Sequence, residues 1–250
     1  HFELEGVFGP IIARVSYQKA MENGCVVPIR VSWRDVEIGS DPADGISDPV
    51  ALDRWGIWTN VARNKLIAAA AREFPEGDQV LIAVETIEHA MNLKKLLPEF
   101  TLCHSENGLT DADRRSYIHE GCILMNEPVI TSERRHQLKK DFESGKLKKV
   151  IANSVWKRGV DFKQLAILIR ADGKNSAISD TQIPGRTSRI SDELDKEFSV
   201  VIDFLDQFNA RLARRADNRS SNYKKHGWEQ FRHNTPNPAR ARQRGLFPDA

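Results

Sequence analysis

The chain is poor in cysteine, in long apolar runs and in glycine-rich phosphate loops, and each shortage removes a class of protein. Cys25, Cys103 and Cys122 are widely spaced and form no C-x-x-C pair. A zinc framework or a disulfide scaffold is thereby excluded, and three reduced cysteines of a cytoplasmic protein are expected. The longest apolar runs, residues 80–84 and 165–169, are strand-sized, whereas a membrane-spanning helix needs about 20 apolar residues. The opening His-Phe-Glu-Leu-Glu has neither the basic start nor the apolar stretch of a signal peptide. It also lacks an initiating Met, so a piece of a longer polypeptide is expected. No G-x-x-x-x-G-K-[ST] occurs: Gly145-Lys146 and Gly173-Lys174 lack both the earlier glycine and the following Ser or Thr.

What is present suffices for a folded domain. Hydrophobic residues make up 40% and charged residues 29% of the chain, enough apolar material for a core without the composition of a disordered segment. The net charge of +2 hides a division. Residues 211–250 hold ten Lys or Arg against three acids, which puts that stretch at +7 and the other 210 residues at −5. A basic end on an acidic body suggests a polyanion-binding surface; a solvated strip is the plainer alternative.

Along the chain, apolar stretches alternate with helical ones. Residues 25–33, 79–84, 100–103, 128–131, 149–153, 165–169 and 200–204 read as strands, the last of these closing the series. Residues 58–74, 86–97 and 132–144 read as helices, with Thr86 and Ser132 at two of the starts and Gly145 ending the third. Residues 39–49 are dense in turn formers and read as a loop. Strands and helices of these lengths in alternation predict an α/β fold, a parallel sheet covered on both faces.

The sharpest motif is Gln182-Ile-Pro-Gly185-Arg186-Thr-Ser-Arg189, a Q-x-x-G-R-x-x-R pattern. On a helix, two arginines three apart share a face and can fork onto one anion such as a triphosphate. Gly185 allows close backbone approach, and Gln182 can orient a water. An exposed helix with ion-paired arginines would show the same residues. Upstream lies the strand 149–153 running into Ser154, Arg158-Gly159-Val-Asp161; before it come Arg135, Phe142-Glu-Ser-Gly145 and the strand 79–84.

In this order and spacing the residues resemble the second RecA-like domain of superfamily-two helicases and translocases. Residues 79–97 resemble motif four, 152–161 motif five and 182–189 motif six, so the resemblance covers about residues 75–205. Leu4-Glu-Gly-Val-Phe8-Gly9-Pro10 and Asn23-Gly24-Cys-Val-Val-Pro28 look like the stretch that joins the two motor domains in the restriction-motor and phage UvsW-like branch. A phage or bacterial source would suit that branch. The resemblance implies a connector at 1–35, a RecA-like motor domain at 36–208 and a basic helical extension at 209–250. It implies ATP and Mg2+ as cofactors, held mainly by a missing first RecA-like domain of the same polypeptide. No acidic box of the DEAD or DExH kind is present, so this chain alone is not expected to hydrolyse ATP.

The resemblance also implies roles for single residues. Arg189 matches the arginine finger that reaches the γ-phosphate, with Arg186 beside it and Gln182 positioning the attacking water. Gly159 and Asp161 match the position that meets the nucleotide, with Gly185 the close-approach glycine. Asn153 stands where the family commonly has a Thr on the strand's phosphate backbone, and Ser154 follows it. Thr86 and His104 lie where strand-contacting loops are expected, although Thr86 is equally read as a helix cap and His104 as a loop histidine. Arg135 is read as a salt-bridge residue.

The basic extension interleaves Arg215, Lys224 and Lys225 with Tyr223, Trp228 and Phe231. Cations would meet phosphates and rings would stack on bases; the rings packing the helix onto the core is the competing reading. The partner implied is DNA, with RNA the alternative. An alternative function is a non-catalytic nucleic-acid-binding module that kept the fold. A metal-dependent nuclease built from Asp111, Asp113, His119 and Asp172 has no ligand spacing to support it.

Overall fold

The computed structural model describes residues 15–105, 108–153, 156, 162–176, 179–190 and 196–233. Seven strands are β1 (Ile29–Asp35), β2 (Val80–Ala83), β3 (Thr101–Cys103), β4 (Lys149–Ala152), β5 (Ile167–Arg170), β6 (Ser199–Leu205) and β7 (Glu229–Arg232). They form one sheet in the order β3-β4-β2-β5-β6-β1-β7, with every pairing parallel. The helices are α1 (Tyr17–Glu22), α2 (Pro49–Asp53) continued by a π-helical turn Arg54–Trp58, α3 (Val61–Arg72), α4 (Ile87–Leu96), α5 (Asp111–His119), α6 (Ser132–Glu143), α7 (Ser179–Gln182) and α8 (Ala210–Lys225).

Alternation along each strand explains the two cores. Val80, Ile82, Ile151, Ile167, Ile169, Val200 and Ile202 pack on one face with Ile67 and Ala71 of α3 and Met91 and Leu93 of α4. Leu81, Val150, Leu168, Val201 and Val31 pack on the other with Leu138 and Phe142 of α6 and Ala216 and Tyr223 of α8. Central strands buried on both faces must be apolar throughout, which is why they read as continuous runs. Side-chain caps set the helix starts: Thr86 Oγ1 accepts from His89 N at 3.2 Å, and Asn60 Oδ1 from Arg63 N at 3.1 Å. In α6 the cap is Thr131, one residue ahead of the expected Ser132, and Gly145 follows the helix at φ +71°.

Two expectations change, and one helix is new to the sequence reading. Residues 128–131 form no strand: Thr131 caps α6, and Arg114 donates to the Glu127 carbonyl just ahead. α5 lies in a polar stretch with no buried residue, yet Thr110 and Asp113 form a reciprocal capping box at its start. The divisions at 35 and 208 cut across the sheet. β1 sits between β6 and β7, and α8 with β7, expected as an extension, belongs to the domain because Leu212, Ala216, Arg219 and Tyr223 are buried under it.

His89 is buried against α3, with Nε2 3.0 Å from Asn64 Oδ1. Asn64 in turn donates through Nδ2 to the Trp58 carbonyl, so its Oδ1 takes a proton from a neutral imidazole. Burial, with the charge of Arg63, holds the His89 pKa well below its ordinary 6.5. The unfolded chain therefore takes up a proton first as pH falls below 6.5, and stability is lost in that direction until the folded pKa is reached. Urea unfolding from pH 7 to 5 is expected to show a slope of up to about 1.4 kcal/mol per pH unit from this group. His89→Gln, which keeps a donor toward Asn64, is expected to flatten it; an unchanged slope would remove His89 as the cause.

Candidate functional site

Gln182 to Arg189 do not form one helix. α7 ends at Gln182, Pro184–Arg186 make a 3-10 turn, and Arg189 forms an antiparallel bridge with Val26. The expectation of two arginines three apart on a helical face gives way to a turn pinned from beneath. Pro184 starts the 3-10 turn, as a residue with preset φ and no amide proton readily does. The Thr187 hydroxyl lies 2.7 Å from the Pro184 carbonyl and 2.8 Å from the Ser199 hydroxyl. Ser188 donates from its hydroxyl to the Gly185 carbonyl at 2.8 Å, while Val27 N donates to the Ser188 carbonyl at 2.7 Å. Ile183, Thr187 and Ser188 are buried, Arg186 is half-buried, and Gln182 and Arg189 are exposed. A Cβ on Gly185 would meet nothing within 4 Å, so open space flanks this stretch.

Arg186 Nη1 donates to the Trp156 carbonyl at 2.8 Å, tying the turn to the loop that follows β4. Lys196 adds a second tie that nothing in the sequence signalled, because it is an isolated lysine in a polar stretch. Its buried ammonium donates to the Lys163, Leu165 and Thr187 carbonyls at 3.2, 3.2 and 2.7 Å. Burial lowers the Lys196 pKa to about 8.

Thr86, His104 and Asn153 follow β2, β3 and β4, which are neighbours in the sheet. The register sets Ala83 against Ala152 and Ala152 against Cys103, so the three residues share the carboxyl edge. Their side chains differ in role. Thr86 caps α4. His104 is buried, with Nδ1 2.8 Å from the Ser105 carbonyl, and burial lowers its pKa. It lines a cavity at the outer edge of β3 together with Leu102, Leu109, Arg114, Ile130 and Arg134. Ser154, Gly159 and Asp161 lie outside the described residues.

The basic residues of α8 separate. Arg215 turns inward to pair with Asp53, so the expected phosphate contact is replaced by an internal ion pair. Lys224 and Lys225 are exposed at the far end of α8. That helix runs back from the carboxyl end of β6 to the start of β7, which leaves both lysines at the opposite edge from Thr86, His104 and Asn153. Tyr223 and Trp228 are buried and stack on each other with ring centroids 5.3 Å apart, which decides for packing over exposed base stacking. Among the described residues, no group of three His, Cys, Asp or Glu is placed to hold a metal ion, and no helix is long and apolar enough to cross a membrane.

Residues 63–191 match the family model described as the helicase conserved C-terminal domain. A comparison with curated protein sequences finds no match. Among solved structures, the chain is similar to a fragment of a putative HsdR subunit of a type I restriction enzyme from Vibrio vulnificus YJ016, with a TM-score of 0.59 at 16% identity, covering 92% of this chain and 41% of that one. It is also similar to S. cerevisiae Dbp5 bound to RNA and ADP BeF3, with a TM-score of 0.55 at 14% identity, covering 93% of this chain and 48% of that one. The chain thus spans less than half the length of either structure. With more than half of its residues under the family model and a parallel sheet of the RecA-like kind, this chain belongs to the helicase conserved C-terminal domain family.

Proposed function

We propose that the chain is the second motor half of an ATP-driven helicase or translocase acting on nucleic acid, DNA in preference to RNA, and that a first RecA-like domain of the same polypeptide completes it. The observation that carries this reading is the pinned Arg186–Arg189 turn, with Arg186 fastened to the loop after β4 and Arg189 exposed beyond it. The DNA preference comes from the resemblance of residues 4–10 and 23–28 to the connector of the restriction-motor and phage branch.

Bound between the two domains, ATP with Mg2+ supplies the phosphoryl group that is transferred to water. The residues of this chain suit the phosphate end of such a ligand. Arg186 and Arg189 are permanent cations with planar donor forks, and Gly185 leaves open space beside them. Arg189 would place its guanidinium where charge builds up in transfer, and Gln182, exposed one turn earlier, would orient the attacking water. Acidic ligands for the metal are assigned to the first domain. Asn153, with Ser154, would grip the strand's backbone at the carboxyl edge, and Gly159 with Asp161 would couple that grip to the nucleotide. Closure and opening of the two domains would then shift the strand.

The test is DNA-stimulated ATP turnover by the polypeptide that carries this chain, wild type against Arg189→Ala. Collapse of turnover with DNA binding retained supports the motor reading. Normal turnover in the variant refutes it and leaves a nucleic-acid-binding module on a helicase fold.

A further inference from the structure

Trp55 is 51% exposed, whereas Trp33, Trp58, Trp156 and Trp228 are at most 9% exposed. A large ring left in water on an otherwise packed turn is unusual, because burying it would contribute to stability. Its backbone is fixed from below. Gly56 backs onto α8, where an added Cβ would come within 2.6 Å of Leu212 Cδ1. Ile57 packs on Gly173, whose own added Cβ would come within 2.9 Å of Ile57 Cδ1. The Trp58 carbonyl accepts from Asn64 and Asn92 at 3.0 and 3.1 Å, and the Arg54 carbonyl accepts from the Thr59 hydroxyl at 2.8 Å. The π-helical geometry, rare and frequent at functional sites, turns Gly56, Ile57 and Trp58 inward and leaves Arg54 and Trp55 outward.

The turn also has a definite place. α3 runs from it back to the residues that feed β2, so the turn lies at the carboxyl edge of the parallel sheet. Arg54 donates through Nε and Nη2 to Glu88 Oε1 at 3.0 and 2.8 Å. Glu88 stands in the first turn of α4, two residues past Thr86. Trp55 therefore flanks the edge that also carries Thr86 and Asn153.

We propose that Trp55 is a stacking platform for an unpaired base of the bound strand, with Arg54 beside it exchanging Glu88 for a backbone phosphate. This rests on the reading that the carboxyl edge carries the nucleic acid. An indole face stacks on any base, which suits a motor that must grip without regard to sequence. The Arg54–Glu88 pair is exposed on the arginine side, so it is weak enough for a phosphate to displace it.

With the other four tryptophans buried, quenching by a ligand at the surface falls chiefly on Trp55. Titration with single-stranded oligo-dT is expected to quench it, while an abasic strand of equal length leaves it unquenched. By anisotropy of a labelled oligo-dT at fixed salt, Trp55→Ala is expected to weaken binding about tenfold, and Trp55→Phe to stay within about threefold of wild type. Arg54→Ala is expected to lower the salt slope by about one phosphate. Oligo-dT that binds with no quenching and no response to Trp55→Ala overturns the stack while the strand-binding reading stands. Equal quenching by the abasic strand overturns it too. No binding at all brings down both. If iodide quenches Trp55 in the isolated chain but not in the longer polypeptide without DNA, the residue is a contact between domains and the proposal fails.

Discussion

Replacing Arg189 by alanine is expected to lower DNA-stimulated ATP turnover of the full motor by about 10³–10⁵-fold, the range for an arginine that neutralises transferring phosphoryl charge. On the proposed role of Arg189, this is the largest single effect expected in the chain. The turn below Arg189 is held by Thr187, Ser188 and Lys196, bonds that the substitution does not remove. Stability and DNA affinity should then change little, and the loss should fall on turnover alone. Arg189→Lys is not expected to rescue it, because an ammonium lacks the planar fork that meets two oxygens at once. Gln182→Ala should cost less, since a water-orienting side chain carries no charge into the transfer. Arg186→Ala should lower turnover as well, but its bond to the Trp156 carbonyl means that it also frees the loop after β4. Unfolding curves separate the two causes. If Arg189→Ala were measured near wild-type turnover, the arginine turn would have no part in the chemistry.

The sequence read well where one physical rule dominated. Short runs of Val, Ile and Leu between turn formers can be little else than buried parallel strands, and β2, β4, β5 and β6 lie where those runs are. Thr86 behaves as the helix cap that its type and place suggest. It read badly where charge went inside or polar residues joined the sheet. β7 is Glu-Gln-Phe-Arg, an edge strand, and its pairing with β1 depends on where α8 returns the chain. Such a pairing cannot be seen in four residues. The segment 210–225 looked like a basic extension because arginine counts as charge in any tally. Arg219 and Tyr223 are fully buried, and Arg215 is spent on Asp53. The candidate site divides in the same way. The order of the motifs was legible, whereas the gathering of Thr86, His104 and Asn153 on one edge follows from the strand order β3-β4-β2. The shape of the arginine turn was not legible either, because it depends on Ser199, Lys196 and Val26, which lie ten residues or more away or carry no motif of their own.

Asp203→Ala is expected to destabilise the fold by about 3–5 kcal/mol, the cost of leaving a buried cation without its partner. Asp203 lies fully buried on β6 and accepts from Arg219 Nη2 at 2.9 Å, from Arg219 Nε at 3.0 Å and from the Tyr223 hydroxyl at 2.7 Å. The two buried arginines beside it hold its carboxyl below the ordinary range despite burial, Arg219 more strongly than Arg170. Among the described residues, Arg219 would keep only the Gly173 and Phe204 carbonyls as acceptors. A natural domain has roughly 5–15 kcal/mol in all, so the urea midpoint should fall steeply and Tm on the order of 10 °C. Asp203→Ala combined with Arg219→Leu should recover part of the loss, since an apolar replacement of both partners removes the stranded charge. Tyr223→Phe should cost far less, about 1–2 kcal/mol, for one buried hydroxyl lost. The network also reaches the arginine turn. Arg170 pairs with Asp180 at 2.9 Å and bonds the Tyr223 hydroxyl, while Asn222 donates to Asp180 at 2.9 Å. Asp180 belongs to α7, the helix that leads into Gln182 and the arginines. Through these bonds α8 clamps the root of the turn, and Asp180→Asn should therefore lower turnover of the full motor at temperatures where the domain stays folded. Normal turnover there would confine the network to stability.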